Sequence, residues 1–133
     1  MKILIALLLT FSVNSFAKNH EVKQRVFFEN LKDGDVVSSP VKIKMGVKGY
    51  EVKPAGSIKP TEGHHHIIID RAALPAGQMV PPNDATHIHF GKAQTEAEVA
   101  LAPGPHTITL QFADGAHKSY GPDASATVKI TVK

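Results

Sequence analysis

Apolar and polar residues alternate along three long stretches of the chain, and this alternation restricts the fold more than any other feature. Residues 41–47 read VKIKMGV, and residues 106–112 and 126–132 alternate in the same way. A period of two places every second side chain on one face, as in a β-strand with one buried face. Shorter segments of similar composition span residues 25–29, 64–69, 86–90 and 98–101. The pattern predicts about seven short strands and an all-β fold.

Turn-forming residues separate these segments. Asp33-Gly34 and Asp114-Gly115 are typical of hairpin turns, and residues 54–60 and 74–84 form longer loops rich in proline and glycine. Many short strands joined by such turns are typical of a β-sandwich. Locally, Thr95–Val99 reads as one helical turn, with a threonine N-cap and a glutamate three residues later.

Two stretches resemble bacterial immunoglobulin-like domains, namely LKDGDVVSSPVKIKM at residues 31–45 and LAPGPHTITL at residues 101–110. The resemblance implies an immunoglobulin-like β-sandwich. These domains often carry a corner tyrosine in the second stretch, whose hydroxyl bonds to the backbone. His106 takes its place here, which favours a corner histidine bonded to the backbone over a metal ligand.

The first seventeen residues have the pattern of a secretory signal peptide. Lys2 supplies the basic region, residues 3–11 are apolar, and the small residues Ser15 and Ala17 precede the expected cleavage point. The apolar run is short for a membrane span, although a membrane anchor or a buried strand is the alternative. We therefore expect residues 1–17 to be removed, and residues 18–133 to form a single periplasmic or secreted domain without stable membrane insertion.

Charge and cysteine content exclude several classes of protein. The formal net charge is +3, and the lysines are scattered and not interleaved with aromatic residues, so nothing indicates a nucleic-acid partner. The chain has no cysteine, which excludes disulfides and thiolate metal sites. A packed core or a bound ligand must therefore stabilise the exported domain.

Histidine is the unusual residue of this chain, with eight copies, and most of them lie in two motifs. Residues 63–70 read GHHHIIID and residues 86–91 read THIHFG. If alternate residues face the core, namely His65, Ile67 and Ile69 in the first strand and Ile88 and Phe90 in the second, each strand presents an HxH pair on its other face. If the two strands are neighbours, they lie about 4.8 Å apart and the two pairs can converge. The predicted metal ligands are His64, His66, His87 and His89.

The donor set indicates which metal ion would bind. Imidazole ligands without thiolate suit copper(II), zinc or nickel, and the general order of affinities favours copper where it is available. We therefore expect a copper or zinc ion. Because ligation requires neutral imidazoles, we expect binding to weaken as the pH falls through about 6.5.

Five further residues are candidates at or near this site. His117 can join the group if its hairpin returns to the same face, and Met79 is a possible soft ligand on the loop between the two strands. Asp70 can orient an imidazole. His65 is either a core residue or a ligand, and His106 remains a secondary candidate.

Four segments of the chain together resemble a family of short exported bacterial proteins known as a domain of unknown function. The segments are KDGDVVSSPVKIKMGVKGYEV, GHHHIIID, THIHFGKAQTE and LAPGPHTITLQFADGAHKSYGP. The resemblance covers about residues 27–133 and implies a fold and an exported location, without an established activity or cofactor. It marks ten residues as the family signature: His64, His65, His66, His87, His89, Gln94, Thr95, Glu96, His106 and His117.

Three functions from different classes fit the sequence. The first is a periplasmic metal-binding protein that carries or buffers copper or zinc. The second is a non-enzymatic envelope interaction module that binds a protein or a cell-wall component through the histidine face. The third is a small metal-dependent enzyme with Glu62 or Asp70 as a base. Because no nucleophile-elbow motif is present, a non-enzymatic role is favoured.

Overall fold

The computed structural model describes residues 24–133, which form a two-sheet, all-β sandwich. Its strands are β1 (Val26–Phe28), β2 (Val36–Val37), β3 (Val41–Val47), β4 (Glu51–Val52), β5 (Glu62–Ile69), β6 (His87–His89), β7 (Glu96–Val99), β8 (Gly104–Ala113) and β9 (Ser125–Val132). The predicted fold class is confirmed. The short strands β2 and β4 bring the described strands to nine, against about seven predicted.

The predicted signal peptide lies outside the described residues, so it and the single-domain boundary stay predictions. Within residues 24–133 the helical structure is a 3-10 turn at Pro122–Ala124. No helix of this part of the chain has the length and apolar character needed to cross a membrane.

The core lies between a three-stranded sheet, in the order β1-β3-β7, and a six-stranded sheet, in the order β2-β9-β8-β5-β4 with β6 also paired to β5. Strand β3 shows why the alternation predicts strands, because Ile43 and Met45 are buried while Lys42 and Lys44 are exposed. Burying a side chain of this size contributes about 1.5–3 kcal/mol.

Strand β5 is covered on both faces. Its residues from Gly63 to Ile69 are all buried. His65, Ile67 and Ile69 face the core between the sheets, whereas His64, His66 and Ile68 occupy the other face. The HxH pair on β5 is therefore part of a second buried layer.

The loop between β5 and β6 packs over this second layer. The backbone N–H of Leu74 donates to Oε1 of Gln111 at 3.0 Å, and the N–H of Val80 donates to the carbonyl of His117 at 2.8 Å. Val80 has no exposed surface. The loop excludes water from the face of β5 that carries His64 and His66.

The predicted helical turn at Thr95–Val99 is wrong, because Glu96–Val99 forms β7. This strand pairs antiparallel with β3 and places Glu96 beside Lys44 and Glu98 beside Lys42, each at 3.9 Å. Pairing along the edge of β3, together with opposite charges across the strands, outweighs the local capping preference.

Candidate metal centre

Four histidines form a compact group at one end of the larger sheet: His64 and His66 on β5, His89 on β6, and His117 on the turn after β8. One potential ligand atom from each lies within 4.8 Å of the others. Three of the four first-choice ligands predicted from the sequence are in this group. His117, predicted as a further candidate, is the fourth member.

Antiparallel pairing of β5 with β6 brings the two histidine motifs together, as the prediction assumed. His66 lies directly opposite His89, and the Nε2 atom of His89 is 3.2 Å from Nε2 of His64. The Nε2 atom of His117 is 3.0 Å from that of His89. Tetrahedral zinc, with bonds of about 2.0–2.1 Å, holds its nitrogen ligands about 3.4 Å apart. These separations are close to those of a metal-binding group.

His117 reaches the group from a tight turn. The carbonyl of Asp114 accepts from the N–H of His117 at 2.9 Å, and Oδ1 of Asp114 accepts from the N–H groups of Ala116 and Lys118 at the same distance. The φ of His117 is 66°, in the left-handed region. After glycine, asparagine, aspartate and histidine enter this region most readily, so the turn accommodates a histidine here.

His87 lies outside the group, contrary to the expectation that it is a ligand. The pairing of β5 with β6 places His87 opposite Ile68, on the side of His66 away from His64. Its Nδ1 lies 3.0 Å from both carboxylate oxygens of Asp84. Hydrogen bonds from the Thr86 backbone and from His87 hold the pKa of Asp84 well below its usual range. His87 thus stabilises the loop rather than the histidine group.

Gly91 lies against the imidazole of His89, a contact that was not predicted from the sequence. Continuing the pairing of β5 with β6 places it opposite His64. A Cβ atom at Gly91 would lie 2.4 Å from Cε1 and 2.6 Å from Nε2 of His89. The absence of a side chain at Gly91 therefore gives the His89 imidazole the space it occupies beside His64.

We expect Gly91→Ala to lower metal affinity by about 10–100-fold, the usual effect of displacing a ligand's supporting contacts. The imidazole of His89 can rotate away from the new methyl group, so the metal-free protein should remain folded. Isothermal titration with Zn²⁺ and thermal melting of the metal-free variant separate these effects. Gly34→Ala is the converse control: its φ of 87° makes alanine strained, and it is expected to lower stability without altering affinity. Unchanged affinity in Gly91→Ala would contradict this role.

The two histidines that β5 contributes to the group are buried, and three of their four ring nitrogens have no hydrogen-bond partner in the part of the chain that the structure describes. His64 and His66 have no exposed surface. Among the described residues, Nδ1 of His64 and both ring nitrogens of His66 have no hydrogen-bond partner. An unsatisfied buried polar group costs about 1–3 kcal/mol, so a bound ion that used one of these nitrogens would offset part of that cost.

Burial, reinforced by the neighbouring imidazoles, lowers the pKa of His64 to about 4 and that of His66 to about 3. Burial also lowers the pKa of His89. These rings are neutral at pH 7, which is the protonation state that ligates a metal. The pH at which protons compete with a metal for the buried pair is therefore well below the 6.5 expected from the sequence.

His65 occupies the core rather than the metal group. It has no exposed surface, its ring centroid is 5.1 Å from that of Phe112, and neither ring nitrogen has a partner among the described residues. Burial lowers its pKa to about 4. Of the two roles that the sequence left open, the core role fits this position.

His106 and Asp70 form a separate pair. Nδ1 of His106 lies 2.9 Å from Oδ2 of Asp70, and Nε2 lies 2.8 Å from the carbonyl of Ala102. The bond to Ala102 is the backbone contact predicted for a corner histidine. The bond to Asp70 raises the pKa of His106. Both residues are therefore engaged outside the histidine group.

Met79 is more than half exposed, and it pairs with Lys118 in an isolated bridge. It is not a member of the histidine group. The sequence analysis also missed Asp84, the partner of His87. Its position three residues before a histidine, at the end of a proline-rich loop, was the available signal.

Comparison with known proteins supports the family resemblance seen in the sequence. Neither the search of curated proteins nor that of solved structures gives a match. The family model described as Domain of unknown function (DUF4399) matches residues 43–133, a range that contains all four clustered histidines. The chain therefore belongs to the DUF4399 family.

Proposed function

We propose that this chain is an exported protein that binds one copper(II) or zinc ion through His64, His66, His89 and His117. The observation that carries the proposal is the burial of His64 and His66, with three of their four ring nitrogens unpartnered among the described residues, beside two further imidazoles within ligand distance. Four imidazole donors without sulfur suit either ion. The predicted signal peptide supports a periplasmic or secreted location.

Carrying or buffering a metal fits this group better than catalysis. Structural and storage sites use four protein ligands, whereas a catalytic zinc site usually has three and leaves a position for water. Here four imidazoles are available. His64 and His66 lie on a strand paired on both sides, which holds their positions without a metal.

Calorimetric titration of untagged residues 18–133 with Zn²⁺ and Cu²⁺ at pH 7.5 tests the proposal. We expect one ion per chain at sub-micromolar affinity at pH 7.5. At pH 5.5 the imidazoles of His64 and His66 should still be unprotonated, because burial lowers their pKa to about 4 and about 3. His87→Gln is the matched control, since this histidine lies outside the group, and it should bind like the wild type. Absence of binding at pH 7.5 would overturn the proposal and favour the envelope interaction module.

A further inference from the structure

The four histidines differ in how solvent reaches them. His64 and His66 have no exposed surface, whereas His89 and His117 are half-buried. A ligand arriving from solution therefore meets the group on the side of His89 and His117. Exchange of a bound ion with another molecule must begin there.

His117 lies on a turn, whereas His89 lies within a strand of the larger sheet. His89 lies within β6, and its backbone N–H donates to Asn83 at 3.2 Å. His117 lies on the turn between Asp114 and Lys118, outside the strands, at a φ of 66°. The His117 imidazole therefore reaches the group from a turn at its solvent side, and not from within the sheet.

The ring of His117 fills a slot between two other imidazoles. Its centroid is 5.0 Å from that of His64 and 4.6 Å from that of His89, with interplanar angles of 78° and 62°. Another planar imidazole can occupy this slot once His117 has moved out. His64, His66 and His89 would then still supply three ligands from the sheet.

We propose that His117 is the exchangeable ligand of the group, an inference that rests on the proposed function. During metal transfer, an imidazole from another molecule, such as a histidine side chain, replaces it. One metal–nitrogen bond breaks and an equivalent one forms. His117 leaves as a neutral imidazole, so neither the charge nor the oxidation state of the ion changes.

Chemical rescue tests this inference, with Co²⁺ as a spectroscopic probe. His117→Gly leaves an imidazole-sized gap on the solvent side, and glycine suits the φ of 66°. We expect Co²⁺ affinity to fall in this variant and added imidazole to restore it by about tenfold, with recovery of the wild-type visible absorption bands. His66→Ala is the matched control, because its gap is fully buried. In His66→Ala, free imidazole cannot enter the gap, so it should bind Co²⁺ in solution and lower the apparent affinity of the protein for Co²⁺.

Two outcomes overturn the inference. In the first, His117→Gly binds Co²⁺ as tightly as the wild type, which would mean that His117 is not a ligand. In the second, affinity falls and imidazole does not restore it, although the wild type binds normally. His117→Asn, which also tolerates the left-handed conformation, checks that the result does not depend on glycine. A wild-type protein that binds no Co²⁺, Zn²⁺ or Cu²⁺ would overturn the proposed function as well.

Discussion

Saturating zinc is expected to raise the melting temperature of the wild-type protein by about 10 °C, and the double variant His66→Ala/His89→Ala is expected to abolish this increase. A ligand at 100 times its Kd stabilises the folded state by about 2.7 kcal/mol. For a domain of this size, each kcal/mol raises the melting temperature by about 4 °C. Because the variant keeps only His64 and His117 of the group, tight binding is lost. Differential scanning calorimetry with zinc and with EDTA measures both quantities.

The quantity to compare is the difference between the zinc-bound and metal-free melting temperatures of each variant. His87→Gln is again the control, because it removes a buried histidine that bonds to Asp84 outside the group. Its metal-free form should melt at a lower temperature and still gain the full increase with zinc. A double variant stabilised by zinc as much as the wild type would refute the ligand assignment.

The alternation of side chains predicts the strands and their faces because it reflects local geometry. On β3, it correctly assigns Ile43 and Met45 to the core and Lys42 and Lys44 to solvent. On β5, it correctly separates His64 and His66 from Ile67. It does not show that the second face of β5 is also buried, since this depends on how the loop after the strand folds back.

The membership of the histidine group depends on pairing between distant parts of the chain. Alternation places His87 and His89 on the same face, but it does not say which residue of β5 lies opposite each. The pairing of His66 with His89 directs His87 towards Ile68 and away from His64. The fourth member of the group is His117 instead of His87. It lies on a turn, 28 residues after His89 in the chain. These contacts between elements are not encoded in the period of either strand.

The segment Thr95–Val99 also shows that a local pattern does not reveal contacts between distant strands. Its capping pattern is a valid local signal, but it competes with an edge strand that β3 leaves available. Glu98, the glutamate of the capping pattern, lies opposite Lys42 in the folded protein, and Glu96 lies opposite Lys44. Their contribution to pairing with β3 can be recognised only when both strands are considered together.

Acid is expected to destabilise the metal-free protein between pH 6.5 and about 4. Burial lowers the pKa of His64 and His65 to about 4 and that of His66 to about 3, whereas histidines of the unfolded chain titrate near 6.5. The unfolded chain therefore binds protons in this range before the folded protein does, so folding is favoured above pH 6.5 and loses free energy as the pH falls. Each such histidine contributes a slope of about 1.4 kcal/mol per pH unit.

His106 acts in the opposite direction. Its hydrogen bond to Asp70 raises its pKa, so it contributes stability below pH 6.5 that is lost as the pH rises through its folded-state pKa. This contribution comes from one partly exposed histidine, whereas burial lowers the pKa of four others, His64, His65, His66 and His89. The net expectation is a free energy of unfolding that decreases towards acid pH.

His65→Leu isolates one of these contributions, because His65 faces the core and lies outside the metal group. The variant removes two unpartnered ring nitrogens from beside Phe112, so its stability at pH 7.5 should equal or exceed that of the wild type. It also removes one of the protons taken up on unfolding, which should reduce the acid-dependent slope by about 1.4 kcal/mol per pH unit. Urea unfolding in EDTA at four pH values from 7.5 to 4.5 measures the slope. An equal slope in both proteins would show that the folded state does not exclude the proton from His65.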